Sequence, residues 1–228
     1  MAGLPARQLA LDLPHAESFR REDFLADPSN EAALALVDSW PQWPHRVAAV
    51  IGPPGSGKSH LAAIWADRTG ARIADAASLT REEVPRALAT TALVIEDFAA
   101  DRIDEPAIFH VLNLVREDDA YVLITAARRT ALDGTMLPDL ASRLRAVPSV
   151  ALAPPSDALM KAVLVKLFAD RQLLVDDETL AYLGARIERS LAAARGIAAA
   201  LDRAALSGGR RVNRALAAEF LKTREQQL

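Results

Sequence analysis

The apolar positions of this chain gather into short unbroken runs, separated by stretches with helical period. The strand candidates are 47–51, Ala71 to Asp75, Ala92 to Glu96, Tyr121 to Thr125 and Ser149 to Leu152. A strand apolar at every position, not at every second one, is covered on both faces. Helical patterns lie around and between these runs. One passes through Ala33, Leu34 and Val37, spans Asn30 to Ser39, and stops at Trp40-Pro41-Gln42-Trp43-Pro44. Lys58 to Arg68 and Glu105 to Glu117 are helical, and Thr80-Arg81-Glu82-Glu83 reads as a capping box opening a helix toward Ala89. Such alternation predicts an α/β fold with a five-stranded parallel sheet.

After Pro154-Pro155 the pattern changes. Ser156 caps a helix reaching about Leu173, and a second helix runs from Asp177 to about Glu188. A third continues to Leu206 and is ended by Gly208-Gly209, and Asn213 caps a fourth. No strand signal occurs in 156–228. The expected organisation is a tail over 1–20, an α/β core over 21–155 and a small all-helical lid over 156–228. The tail has no long period but contains Gln8-Leu9-Ala10-Leu11-Asp12-Leu13.

Composition narrows the classes. At 228 residues the chain suits one α/β domain with a modest appendage, and 51% hydrophobic residues supply a sizeable core. A net charge of −3 gives no global footprint for nucleic acid, so direct sequence-specific DNA binding is not expected. Cysteine is absent, which excludes disulfides, zinc-thiolate sites and a thiol nucleophile. No apolar run is long enough for a signal peptide or a membrane span, so a cytoplasmic protein without a membrane partner is the expectation.

Candidate chemistry concentrates at Gly52-Pro53-Pro54-Gly55-Ser56-Gly57-Lys58-Ser59. The spacing is that of the phosphate-binding loop, G-x-x-x-x-G-K-[ST], between a strand and a helix N-terminus. Its glycines let successive N–H groups turn toward phosphates, Lys58 reaches the β- and γ-phosphates, and the Ser59 hydroxyl can ligate Mg2+. ADP or ATP with Mg2+ is therefore the expected ligand. Some forty residues on, an apolar strand ends in Glu96-Asp97, where one carboxylate can hold Mg2+ through water and its neighbour can orient an attacking water. Trp40, Trp43 and Trp65 read as packing residues, and His45, His60 and His110 are not read as catalytic.

The order of phosphate loop, acidic strand, Ser142-Arg143 before the fifth strand and then a helical lid resembles the AAA+ ATPases. Within them, Asp139-Leu140-Ala141-Ser142-Arg143-Leu144, Pro154-Pro155-Ser156-Asp157 and Leu201-Asp202-Arg203-Ala204 are similar to the DnaA-related Hda family, which inactivates the replication initiator. The resemblance covers nearly the whole chain, including Asp23-Phe24-Leu25 and Ser29-Asn30. It implies that Arg143 is an arginine finger acting on nucleotide held by a neighbouring subunit. It also implies nucleotide contacts from Leu25, His60 and the lid residue Arg189, and a regulatory role at the DnaA initiator. Residues 8–13 resemble peptides that dock on the DNA polymerase sliding clamp, with Gln8 offering its amide and Leu9, Leu11 and Leu13 the apolar surface. Nucleotide-controlled self-association belongs to the same picture.

The sequence departs from the family in places. The turn after the fourth strand reads Thr125-Ala126-Ala127-Arg128, with no carboxylate unless Thr125 substitutes. Keeping Leu201-Asp202-Arg203-Ala204 in register puts Ala192 at the nucleotide-sensing position, with Arg189 and Arg195 three residues to either side. The acidic pair is Glu-Asp where Asp commonly comes first. These changes weaken the case for fast hydrolysis by this chain, leaving slow ATPase activity or none, more than the case for binding. A DNA-binding initiator or helicase loader is the alternative, against which stand the acidic charge and lid helices that use the chain to about 222. A small-molecule kinase shares the loop but lacks the helical tail and the Ser-Arg element.

Overall fold

The computed structural model describes residues 19–134 and 137–225. The hexamer Gln8 to Leu13 lies outside them. The described chain forms two compact units, one of Phe19–Leu159 with Ser190–Ala192, the other of Met160–Arg189 with residues 193–225. The expected core–lid boundary stood at 155, so the first turn of the helix after it stays with the α/β unit, and Ser190–Ala192 return to that unit.

The α/β unit carries strands β1 (Val47–Ile51), β2 (Arg72–Asp75), β3 (Ala92–Phe98), β4 (Tyr121–Ala126) and β5 (Ser149–Ala151). All pair in parallel, in the order β2-β3-β4-β1-β5. Side chains alternate across a strand, so the inner strands β1, β3 and β4 divide between two cores, while no residue of the edge strands β2 and β5 is buried. Ala49, Ile51, Leu93, Ile95, Val122 and Ile124 face one side, with residues of helices α4 (Glu105–Glu117) and α5 (Pro138–Ala146). Ala48, Val50, Ala92, Val94 and Leu123 face the other, with α1 (Glu31–Asp38) and α2 (Lys58–Thr69). Two-sided coverage is the physical cause of the apolar runs of β1, β3 and β4. Strands β2 and β5 form the edges of the sheet and, against the expectation, are not covered on both faces, Ile73 standing exposed. Trp65 is fully buried on the second side and stacks on Trp43 with centroids 5.3 Å apart, as packing residues should.

One expected helix is nearly lost. The Glu83 carboxylate accepts a hydrogen bond from Thr80 N (3.2 Å), but the Thr80 hydroxyl donates to the same carboxylate (3.3 Å) and caps no amide. A turn results, and helix α3 is only Val84–Ala87. Strand β3 runs on to Phe98 through a bulge, because pairing passes from Ile95↔Ile124 to Phe98↔Ala126.

The C-terminal unit holds most of α6 (Asp157–Asp170), then α7 (Asp177–Gly184), α8 (Leu191–Gly208, apart from its first residues) and α9 (Arg214–Glu225). Helix α6 ends short of Leu173. Gln172 takes φ +59°, and Leu173 N donates to Phe168 O (2.9 Å), which closes the helix as a glycine usually does. Helix α7 stops at Gly184, a weak helix former, instead of reaching Glu188. Asn213 caps α9 as expected, accepting from Leu216 N at 3.0 Å. No described helix is long and apolar enough to cross a membrane.

At the start of α7, Asp176 accepts a hydrogen bond from Thr179 N (2.7 Å). Bonds from the Thr179 backbone and side chain lower its pKa from 3.8. A carboxyl depressed in the folded state adds stability above its unfolded pKa and loses it as pH falls through the folded value. Thermal unfolding should therefore show Asp176→Ala as less stable than wild type at neutral pH, the two curves converging below about pH 4. Curves that stay parallel into acid would show that this cap is not linked to pH.

Candidate functional site

The loop between β1 and α2 is shaped by its glycines. Gly55 adopts φ +73° and Gly57 φ +105°, conformations that other residues rarely take. A Cβ on Gly55 would also come within 2.8 Å of the Ala192 Cβ. Residues Ser190–Ala192 close on the loop from outside, with Leu191 N donating to Gly55 O at 2.8 Å. From the other direction the Phe24 ring reaches to 3.7 Å of where a Gly57 Cβ would stand.

Lys58 opens α2 and is buried. Its ammonium donates to Gly52 O (2.8 Å) and Pro53 O (3.0 Å), so the loop is folded around its own cation. Burial lowers its pKa, and the negative charges of Asp97 and Glu96 oppose that shift. Both carboxylates therefore act electrostatically on Lys58, but they are placed in unlike ways. Glu96 is half-buried, with a buried Oε1 that has no partner. Asp97 is exposed and has φ +52° at the bulge of β3. Its amide donates to the hydroxyl of Thr125 (3.1 Å), a side chain only 1% exposed at the end of β4. Thr125 supplies no carboxylate. It fixes the backbone that carries one.

These residues fit a nucleoside phosphate. Ser56 Oγ and Glu96 Oε1 are buried polar atoms without partners. Ser59 is exposed at the first turn of α2, where a phosphate-bound cation could take its hydroxyl. Among the described residues no cluster of three or more His, Asp or Glu could hold a metal alone, so Mg2+ here would draw on phosphate oxygens and water.

The remaining expected contacts divide. Leu25 is half-buried beside Phe24, and its carbonyl accepts from Asn30 Nδ2 (2.9 Å). His60 lies edge-on to both Phe19 (5.4 Å) and Phe24 (5.2 Å), and its Nε2 donates to Arg20 O (3.1 Å). It serves as a wall that holds residues 19–24 to α2. Arg189 is exposed in the turn before α8 and belongs to the C-terminal unit. Ala192, not an arginine, is what the α/β unit places against Gly55.

Arg143 lies on α5 and is held at three points. It donates to Asn113 Oδ1 (2.7 Å), pairs with Asp139 (3.1 Å) one turn earlier, and covers the Phe109 ring at 4.7 Å. Its own helix is anchored by Arg129, whose guanidinium donates to the carbonyls of Leu144, Arg145 and Val147. Arg128 and Arg145 are exposed. Sequence reasoning missed Asn113, Phe109 and Leu191, because none of them belongs to a motif, and it took Leu25 from the Asp23-Phe24-Leu25 segment without assigning a role to Phe24.

No family model matches the chain, and no curated protein matches it in sequence. Solved structures do match in fold. Domain III of the replication initiation protein DnaA from Thermotoga maritima superposes with a TM-score of 0.73 at 19% identity, over 92% of this chain and 98% of that one. The Thermotoga maritima RuvB Holliday junction branch migration motor gives 0.74 at 15%, over 90% and 72%. A replication initiator DnaA bound to AMPPCP and single-stranded DNA gives 0.64 at 16%, over 90% and 67%. These likenesses show the fold, an AAA+-like α/β core with a five-stranded parallel sheet followed by helices.

Replacing the Thr125 hydroxyl with a methyl leaves the Asp97 amide without its acceptor. Thr125→Val should cost about 1–2 kcal/mol, seen as a lower denaturant midpoint at unchanged slope. Thr125→Ser should stay nearer wild type. Equal midpoints for Thr125→Val and wild type would show that the bond contributes nothing.

Proposed function

We propose that this protein is a nucleotide-controlled regulator of chromosome replication initiation. It binds ADP or ATP with Mg2+, docks on the sliding clamp, and promotes hydrolysis of ATP bound to the DnaA initiator. The observation that carries the nucleotide half is the loop wrapped around buried Lys58, with two β3 carboxylates and unpartnered Ser56 and Glu96 oxygens beside it. Binding at such a loop is a matter of backbone amides and one cation, so it does not require this chain to hydrolyse ATP quickly. The regulatory half is supported by the motifs shared with the Hda family and by the likeness to DnaA domain III along nearly its whole length.

In this reading Gln8, Leu9, Leu11 and Leu13 meet the clamp, and Arg143 stabilises charge developing on the initiator's γ-phosphate. The chemistry is positioning and charge stabilisation across an interface, without a covalent step by this chain. A held guanidinium suits that task, because its orientation is set before the partner arrives. A DNA-binding initiator or helicase-loader ATPase is the second reading, and the DnaA complex with single-stranded DNA favours it. Binding of a single-stranded oligonucleotide that depends on nucleotide would decide for it.

Calorimetry should show ADP binding to the wild type and its loss in Lys58→Ala. Unchanged affinity in that variant would sink the nucleotide assignment. With clamp and ATP-loaded initiator in one mixture, Arg143→Ala should bind ADP and clamp normally yet lose the stimulation, about 10³–10⁵-fold for a well-placed finger. Arg143→Lys should recover little, since an ammonium lacks the planar fork. Replacing Gln8, Leu11 and Leu13 with alanine should remove clamp binding alone. Full stimulation by Arg143→Ala would move the role to Arg128 or Arg145, or abolish it.

A further inference from the structure

One carboxylate in the α/β unit collects more hydrogen bonds than its surface position requires. Asp27 Oδ1 accepts from Ser29 N (3.0 Å) and Ser29 Oγ (2.5 Å), and Oδ2 accepts from Ser156 Oγ (2.6 Å). The Ser156 oxygen in turn accepts from Leu159 N (3.0 Å), so it caps the first turn of α6 while it holds Asp27. On the other side, Asp27 N donates to Asn30 Oδ1 (3.0 Å), and Asn30 Nδ2 donates to Leu25 O (2.9 Å). Ala153 N closes the set by donating to Ser29 O (3.0 Å). Every one of these residues lies within the α/β unit.

The network has two ends. One is Leu25, whose neighbour Phe24 stands against Gly57 at the end of the phosphate loop and against His60 on α2. The other is the start of α6, through which the chain leaves the unit. The hydrogen bonds from Ser156 and Ser29 also hold the Asp27 carboxyl below its ordinary pKa, so the charged, accepting form is the one present near neutral pH.

We infer that Asp27 is a positioning residue for the nucleotide site, tying the Phe24–Leu25 wall beside the phosphate loop to the capped first turn of α6 through Ser156. The inference rests on the nucleotide reading above and adds its control. The wall is competent only while the network stands, and the start of α6 is fixed by the same carboxylate. Filling the site therefore stabilises the α6 cap, and breaking the cap weakens binding.

Titration of MgADP by calorimetry, with thermal unfolding alongside, tests this. Asp27→Ala and Ser156→Ala should each raise the Kd for MgADP about tenfold, because only a fraction of molecules then hold the wall in place. The double variant should be no weaker than either single one, since both break a single unit. Ser156→Thr keeps the hydroxyl and should restore wild-type affinity. A merely structural role would lower the unfolding temperature and leave MgADP affinity unchanged, and that result overturns the inference. Additive losses in the double variant overturn it too. In the wild type, needing no variant, MgADP should slow hydrogen exchange at the Leu159 amide together with amides of the loop. Protection confined to the loop counts against it. A wild-type chain that takes no MgADP overturns the nucleotide reading and this inference together, whereas binding that ignores Asp27 and Ser156 overturns only the latter.

Discussion

Burying the Lys58 ammonium sets the terms for everything around it. A charge taken out of water must be met by nearby dipoles and opposite charges, or it gives up its proton. The nearest dipoles are the Gly52 and Pro53 carbonyls, which the loop can offer only by curling back on itself. The opposite charges come from the end of β3, where a bulge turns Asp97 outward and leaves Glu96 half-buried. The bulge is secured by Thr125 on β4, and β4 lies between β3 and the β1 strand that delivers the loop. Sheet order, bulge and loop thus answer one electrostatic demand.

What could be read from the amino acids was whatever has a local physical cause. Apolar runs announced five strands and all five formed, but only β1, β3 and β4 are buried on both sides; the edge strands β2 and β5 are not. The phosphate loop was equally plain, because each of its residue types answers a backbone or charge requirement within eight positions. Ser156 and Asn213 capped the helices they were expected to cap. Where two local choices compete, reading fails. Thr80 can cap an amide or bond the Glu83 side chain, and its choice of the latter reduced a helix to a single turn. Contacts across long separations left no trace at all. Asp27 meets Ser156, Leu191 meets Gly55, and Arg143 meets Asn113 and Phe109, and nothing near either member of these pairs betrays the other.

The surroundings of Arg143 set orientation against availability. A free arginine samples many rotamers and must give up that freedom when it engages an anion. Here Asn113, Asp139 and the Phe109 ring have already imposed the loss. A guanidinium kept in this way offers its unused edge without further ordering. Its charge is partly spent, however, on Asp139, whose own side chain is exposed, and such a pair contributes little to stability. Under the proposed function, an incoming phosphate, richer in charge and in acceptor atoms, would displace that carboxylate at small cost while Asn113 and Phe109 kept the plane of the fork.

The position of β1 has a consequence for how the chain comes to exist. Val47–Ile51 pairs on one side with Tyr121–Ala126 and on the other with Ser149–Ala151, and with no strand closer in sequence. During synthesis, then, the strand that presents the phosphate loop waits for its partners until Tyr121–Ala126 and Ser149–Ala151 have left the ribosome. Two bonds at the root of the loop, Gly52 N to Ala126 O and Leu152 N to Ile51 O, need both late strands. A nascent chain that stalls before β4 carries every residue of the phosphate-loop motif without the bonds that fix its root, and it exposes the edges that invite pairing with a neighbouring chain.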